Sequence, residues 1–155
     1  MRILITGGAG FVGSNLALAL QAELPGAEVV CMDNLYRRGS ELTVPRLLAA
    51  GVQFHRGDVR DVAGFPPGPF EFLIECSAEP SVLAGQDGSP DYLFQTNLVG
   101  AYNCLEKARQ WQSQFIFLST SRVYPIARLE AHPWREEPRG LRGPTTAPPA
   151  SLRAA

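Results

Sequence analysis

The sequence predicts an α/β protein: a doubly wound parallel sheet, incomplete at about five strands, with no substrate domain after it. Three observations carry this reading. An apolar run breaks into a glycine-rich turn that opens a helix within the first residues, MRILITGGAGFVGSN. Strand-like and helix-like stretches then alternate, the order that puts helices on both faces of a parallel sheet. The alternation stops near residue 124, and the proline-rich remainder offers no sixth strand.

Arg2–Thr6 reads as a buried strand. Gly7, Gly8, Gly10 and Gly13 make the turn, and Phe11–Leu24 reads as a helix with apolar positions at 12, 16, 20 and 24. Strand, glycine turn and helix N-terminus together form an anion site, because free backbone N–H groups and the positive end of the helix dipole converge there. Glycines at these places turn the chain, let a pyrophosphate approach, and let helix and strand pack closely. An ordinary βα turn without a ligand is the alternative. Glu28–Asp33 is the second strand. It ends on an acid about 20 residues past the last glycine, where a carboxylate accepts hydrogen bonds from both hydroxyls of an adenosine ribose.

A polar loop over 34–40 leads to a helix at 41–50. Val52–Arg56 is the third strand, closed by Gly57 and Asp58. Phe70–Cys76 is the fourth, apolar almost throughout and so expected at the centre of the sheet. A loop rich in Gly, Ser and Pro runs to Pro90. Asp91–Gln112 reads as one long helix, apolar at 93, 94, 98, 101, 102, 105 and 108. Phe115–Leu118 is the fifth strand and runs into Ser119, Thr120 and Ser121. Residues 1–124 thus form the nucleotide-binding domain. Residues 125–155 hold six of the thirteen prolines and read as an irregular Pro/Ala/Arg-rich tail, whose end, 143–155, is expected to be disordered.

A formal net charge of −1 argues against a nucleic-acid partner. No apolar run is long enough for a membrane helix, and Met1 leads into a strand rather than a signal peptide. Cys31, Cys76 and Cys104 lack metal-ligand spacing. They read as reduced, buried thiols of a cytoplasmic protein.

Six motifs in order now resemble the extended short-chain dehydrogenase/reductase family, specifically its nucleotide-sugar epimerases and dehydratases. TGGAGFVGSN is similar to the TGxxGxxG turn, and Asp33-Asn34 to the acid that holds the ribose. Gly57-Asp58-Val59-Arg60-Asp61 is similar to GDxxD, and residues 75–82, ECSAEPSV, to H-x-A-A-x-P-S-V. Asn97-Leu-Val-Gly100-Ala-Tyr-Asn103 is similar to N-x-x-G-x-x-N. Phe115–Tyr124 is similar to the fifth strand and its catalytic Ser/Thr. The resemblance covers residues 1 to about 135, and its wording leans towards the CDP-paratose/tyvelose 2-epimerase branch.

The resemblance implies a Rossmann-like fold, NAD as cofactor and a nucleotide-sugar substrate. It implies that Gly7, Gly10, Phe11, Val12 and Gly13 cradle the pyrophosphate and that Asp33 and Asn34 hold the ribose. It places Asp58 and Val59 beside the adenine, Ala78 on the cofactor floor, and Asn97 in support from the long helix. Thr120 would hydrogen-bond the reacting sugar oxygen. Plainer roles stay open: Asp58 as a turn residue, Asn97 as an amide bonded only to backbone, Thr120 as a turn cap. Tyr124 aligns as a packing residue.

Arg37 and Arg38 are placed to hold a 2′-phosphate, but Asp33 repels one, so NAD is preferred to NADP. Glu75 stands where relatives often have His, and is expected to point away from the phosphates or to pair with an arginine. The family's Tyr-x-x-x-Lys pair, in which lysine lowers the tyrosine's pKa so that it serves as base, has no match. The tyrosines are Tyr36, Tyr92, Tyr102 and Tyr124, and the single lysine is Lys107. The expectation is therefore a truncated or frameshifted chain, inactive by itself, that descends from an NAD-dependent epimerase/dehydratase. A non-catalytic dinucleotide-binding module is the alternative. An open sheet edge makes a covering partner, such as a second copy in a homodimer, an expectation too.

Overall fold

The computed structural model describes residues 1–81, 83–86, 88–119, 127, 133–138 and 140–142. The chain divides into two units, Met1–Leu118 and Ser119–Ala155. In the first unit five parallel strands are β1 (Arg2–Thr6), β2 (Glu28–Asp33), β3 (Gln53–Arg56), β4 (Phe72–Glu75) and β5 (Gln114–Phe117). Their order is β3-β2-β1-β4-β5. β1 therefore occupies the middle. β4, expected there, is interior but lies one place out. The chain reverses direction across the sheet between β1 and β4, and that switch opens a crevice at the carboxyl ends of the strands.

Side-chain alternation along β1 builds both faces. Ile3 and Ile5 join Ala17, Val29, Cys31, Leu47, Val52 and Ile74. That cluster lies under α1 (Phe11–Glu23) and α2 (Val44–Ala49). Leu4 joins Val30, Met32, Val59, Phe65, Phe70, Leu73, Cys104 and Ala108 on the other face. There the cover is one helical run: α3 (Asp91–Phe94), a π-helical stretch Gln95–Val99, and α4 (Gly100–Trp111).

The predicted stripes are met in part: Leu16, Leu20 and Leu24 pack half-buried against the sheet and Ala108 is buried, but the deepest positions go to smaller residues. α1 buries Gly13, Ser14 and Ala17, while Val12 is exposed. α4 buries Gly100, Asn103, Cys104 and Ala108. Phe94, Leu98, Tyr102 and Leu105 are more than half exposed. Close approach explains the preference: a Cβ on Gly100 would stand 2.6 Å from Val59 Cγ2. Small residues let the helix lie down on the sheet, and the large ones are left outside.

The second unit carries an antiparallel pair, β6 (Arg135–Glu137) and β7 (Gly140–Arg142), where no strand was expected. Thr120 and Tyr124 lie outside the described residues. Among the described residues no helix is long and apolar enough to cross a membrane.

Candidate dinucleotide site

The glycine turn joins β1 to α1 at the crevice. Gly7 has φ +62°, and a Cβ there would lie 2.7 Å from the Cys76 carbonyl. Only glycine takes that backbone conformation without strain. A Cβ on Gly13 would stand 2.3 Å from Gly7 O, so Gly13 sets how closely α1 packs on the turn. Gly10 N–H donates to Gly7 O at 3.0 Å, and Thr43 Oγ1 donates to Ala9 O at 2.8 Å, which braces the loop from outside.

α1 starts at Phe11 with no side-chain cap and no acid in its first turn. Phe11 and Val12 are exposed at 85 % and 50 %. The first N–H groups of a helix have no partner within it, so here they face open space at the positive end of the dipole. A cradle shaped by glycines, with bare donors and no acid in the first turn of the helix, fits a pyrophosphate.

Asp33 ends β2 beside this turn. Its Oδ2 accepts from Ala9 N–H at 3.1 Å and its Oδ1 from Leu35 N–H at 2.8 Å. Each oxygen keeps a lone pair free, since an ionised carboxylate offers about four acceptor positions. The carboxylate is thus fixed by backbone with its remaining acceptors available for the two ribose hydroxyls. Arg37 and Arg38 are exposed on the following loop.

Asn34 and Asp58 are joined directly, Asn34 Nδ2 donating to Asp58 Oδ2 at 2.9 Å. Arg60 donates to Asp58 Oδ1 from its backbone N–H and its Nε, both at 2.9 Å. Its Nη2 reaches Oδ2 at 2.6 Å. The Arg60 side-chain hydrogen bonds, helped by the Asn34 amide, hold the Asp58 carboxyl down at about 2, against the cost of its partial burial. Val59 is buried under α4, and its carbonyl accepts from Asn103 Nδ2 at 2.8 Å. Ala78 is exposed just beyond β4.

Asn97 sits in the π-helical stretch. Its Oδ1 accepts from Glu79 N–H at 2.8 Å and its Nδ2 donates to Glu79 O at 3.2 Å. Both ends of the amide are used to pin the loop after β4, so its described contacts are those of a loop brace. Glu75 meets no arginine among the described residues: it is 1 % exposed and faces α4, on the side of the sheet opposite α1. It hydrogen-bonds Thr6 Oγ1, accepts from Cys104 Sγ at 2.8 Å and from Ser77 N–H at 2.8 Å. Burial raises its pKa, and these three donors only partly offset the rise. Burial likewise pushes the Cys31 and Cys76 thiols up to about 12, so neither is a nucleophile at neutral pH.

The crevice thus gathers Gly7, Gly10, Phe11, Val12, Gly13, Asp33, Asn34 and Asp58 at the ends of three adjacent strands. The sequence reading missed Thr43, Asn103, Tyr36, Arg60 and Tyr92. Asn103 and Arg60 stood in quoted motifs without a role; Thr43, Tyr36 and Tyr92 join the site only through the fold.

Fold and site define an α/β domain of Rossmann-like architecture, with a glycine turn and a strand-end acid at the carboxyl ends of the strands. The NAD dependent epimerase/dehydratase family model matches residues 3–148, and the chain belongs to that family. CDP-paratose 2-epimerase of Salmonella typhi is 33% identical over 146 residues, covering 88% of this chain and 41% of that protein. dTDP-glucose 4,6-dehydratase of Streptomyces niveus is 33% identical over 145 residues, covering 88% and 42%. Among solved structures, UDP-glucose-4-epimerase from Stenotrophomonas maltophila, with bound NAD and formylated UDP-arabinopyranose, superposes with a TM-score of 0.66. It is 27% identical, over 80% of this chain and 38% of that one. The chain spans about two-fifths of the length of these relatives.

Proposed function

We propose that this chain is the NAD-binding portion of an epimerase/dehydratase acting on a nucleotide sugar, and that the 155 residues alone do not turn over. The observation that carries the reading is Asp33, held by Ala9 and Leu35 N–H groups beside an uncapped helix start. When bound, the nicotinamide supplies reversible hydride transfer; the protein supplies orientation and proton handling. The glycine turn and the first N–H groups of α1 bind the phosphates. Asp33 accepts from the ribose hydroxyls, and its charge favours NAD over NADP. Thr120 is the residue proposed to hydrogen-bond the reacting sugar oxygen. No tyrosine in the sequence has a lysine four residues on, so the family's base is absent from these residues. Among the described residues Cys31, Cys76 and Cys104 are free thiols, in keeping with a cytoplasmic setting. The partner proposed for the exposed face of α3 and α4 is a second copy of the chain.

Calorimetric titration tests this. The chain is expected to bind NAD more tightly than NADP. Asp33→Ala is expected to weaken NAD about 10- to 100-fold, the worth of hydrogen bonds to a charged group. No NAD reduction is expected with any nucleotide sugar. An Asp33→Ala variant that binds NAD like the parent sinks the site, and robust NAD reduction by the pure chain sinks the claim of inactivity. The alternative, a dinucleotide-binding module that never served catalysis, is favoured if the genomic DNA from the Tyr124 codon onward encodes no Tyr-x-x-x-Lys helix in any frame.

A further inference from the structure

Glu75 is a buried carboxyl that the proposed chemistry leaves unused, and it stands beside the turn that would hold the pyrophosphate. β1 and β4 run side by side, with Thr6 in register with Glu75. Gly7, the first residue of the glycine turn, follows Thr6 directly. The backbone after Glu75 lies against that turn: a Cβ on Gly7 would stand 2.7 Å from the Cys76 carbonyl and 2.8 Å from Ser77 N. Ser77 N–H is also the group that donates to Glu75 Oε1, at 2.8 Å. Cys76 N–H donates to Thr6 O at 3.1 Å, which locks the two strand ends together. The carboxyl is therefore one hydrogen bond away from the floor of the cradle.

Its surroundings suit a neutral acid. Oε1 meets a backbone N–H, which can only donate. Oε2 meets the Thr6 hydroxyl and the Cys104 thiol. A proton on Oε2 is donated to Thr6 Oγ1, and Thr6 turns its own hydrogen towards the Ile74 carbonyl at 3.5 Å. The groups facing the carboxyl from each packed element are uncharged. They are Thr6 on β1, Phe117 in register on β5, Cys104 on α4, and Cys76 and Ser77 at its own strand end. Burial, and then the carboxyl itself, hold the Cys76 and Cys104 thiols well above their ordinary range, so neither ionises near neutral pH. A pyrophosphate in the cradle brings two negative charges to these same strand ends, where protein rather than water separates them from Glu75. An ionised Glu75 and a bound pyrophosphate oppose each other there.

We propose that Glu75 is a positioning residue that makes dinucleotide binding proton-linked: with a proton on Oε2 the Cys76–Ser77 floor accepts the pyrophosphate, and with the carboxyl ionised it repels it, so NAD binding takes up a proton at Glu75 and weakens as pH rises. This rests on the dinucleotide reading above. The proton comes from solvent when NAD binds and returns to it on release, and only the Oε2–H bond forms or breaks. Linkage makes the effect reciprocal: proton and dinucleotide each raise the other's affinity by the same factor.

Calorimetric titration of the 155-residue chain with NAD across a series of pH values tests it. Affinity of the parent is expected to fall about tenfold between about pH 5 and about pH 9, the effect of one pKa unit. Glu75→Gln keeps the shape and cannot ionise, and its affinity is expected to change less than about twofold over the same range. A merely structural Glu75 would leave the pH profile of the variant parallel to that of the parent. Isotope-edited NMR of the glutamate carboxyls needs no variant, and decides the matter if Glu75→Gln does not fold. The Glu75 resonance is expected to titrate at higher pH with NAD bound than without it. A parent affinity that is flat or rises with pH, parallel profiles for the two chains, or an unmoved Glu75 midpoint each overturn the inference and leave the dinucleotide reading standing. No NAD binding by the parent at any pH overturns both.

Discussion

Glu75 shows how one residue can cost stability in a pH-dependent way without touching a ligand. Every group facing it is neutral: Thr6 from β1, Cys104 from α4, and Ser77 and Cys76 from its own strand end. With no cation in reach among the described residues, burial favours the protonated form, so the folded state keeps this proton to higher pH than the unfolded chain does. The sign follows. The folded state binds more protons, so stability falls as pH rises above the unfolded value of about 4.3. Asp58 acts in the opposite direction: held down at about 2, it stabilises above its unfolded value and loses that contribution as pH falls towards 2. Glu75→Gln keeps the shape and removes the titration. Urea midpoints of the variant are expected to rise relative to the parent as pH increases from 5 to 8. Parallel curves across that range would show that Glu75 titrates as in the unfolded chain.

At the scale of elements, the two long helical segments explain why existence was legible and orientation was not. A strand, a glycine turn and an acid 20 residues on are local signals, and they placed β1, α1 and β2 with Asp33 at its end. The run Asp91–Trp111 was legible as helix because helical formers fill it. Its facing was not, because apolar spacing marks a buried stripe only when size does not matter. Here Gly100, Cys104 and Ala108 go in, since the sheet lies too close for Leu or Phe. The π-helical stretch Gln95–Val99 further displaces the spacing by its wider turn. Asn103 is the price of that closeness: it is 7% exposed and donates to the Val59 carbonyl, which ties α4 to the loop after β3. Asn103→Ala leaves that carbonyl without its donor and is expected to lower unfolding free energy by about 1–3 kcal/mol. The Asp58–Val59 loop would loosen with it. Chemical denaturation gives the first figure, and amide exchange at Val59 and Arg60 reports the second. A loss below the error of the measurement would mean that water takes the place of the amide.

At the scale of the molecule, a parallel sheet with helices on both faces followed from the alternation of elements, whereas its strand order and the surfaces left open did not. Two of the apolar surfaces on the described residues bear on assembly. One is the stripe Phe94, Leu98, Tyr102 and Leu105, each 52–63% exposed. An open hollow of about 580 Å³, lined by Pro90, Asp91, Leu93, Phe94, Asn97 and Leu98, adjoins it. The other is β5, whose Ile116 and Phe117 are 46% and 50% exposed. Phe115 packs under α4 with Phe117 stacked beside it. Ile116 points to the opposite face. A strand edge pairs with any other edge and leads to open-ended association. The helix stripe differs, because it is apolar along its length and nearby Glu106 and Arg109 pair with each other. A stripe of this kind suits an isologous contact, in which the same residues meet across a twofold axis and the assembly closes at two. Sedimentation at increasing concentration is expected to show a reversible monomer–dimer equilibrium, with a melting temperature that rises with concentration. Leu98→Glu combined with Leu105→Glu is expected to leave a monomer of unchanged secondary structure. Ile116→Lys is expected to leave the dimer in place and to suppress only larger aggregates. A parent chain that sediments as a monomer and melts at one temperature across that range would rule out the pairing. A dimer lost with Ile116→Lys but kept by the double glutamate variant would move the contact from the helix to the sheet edge.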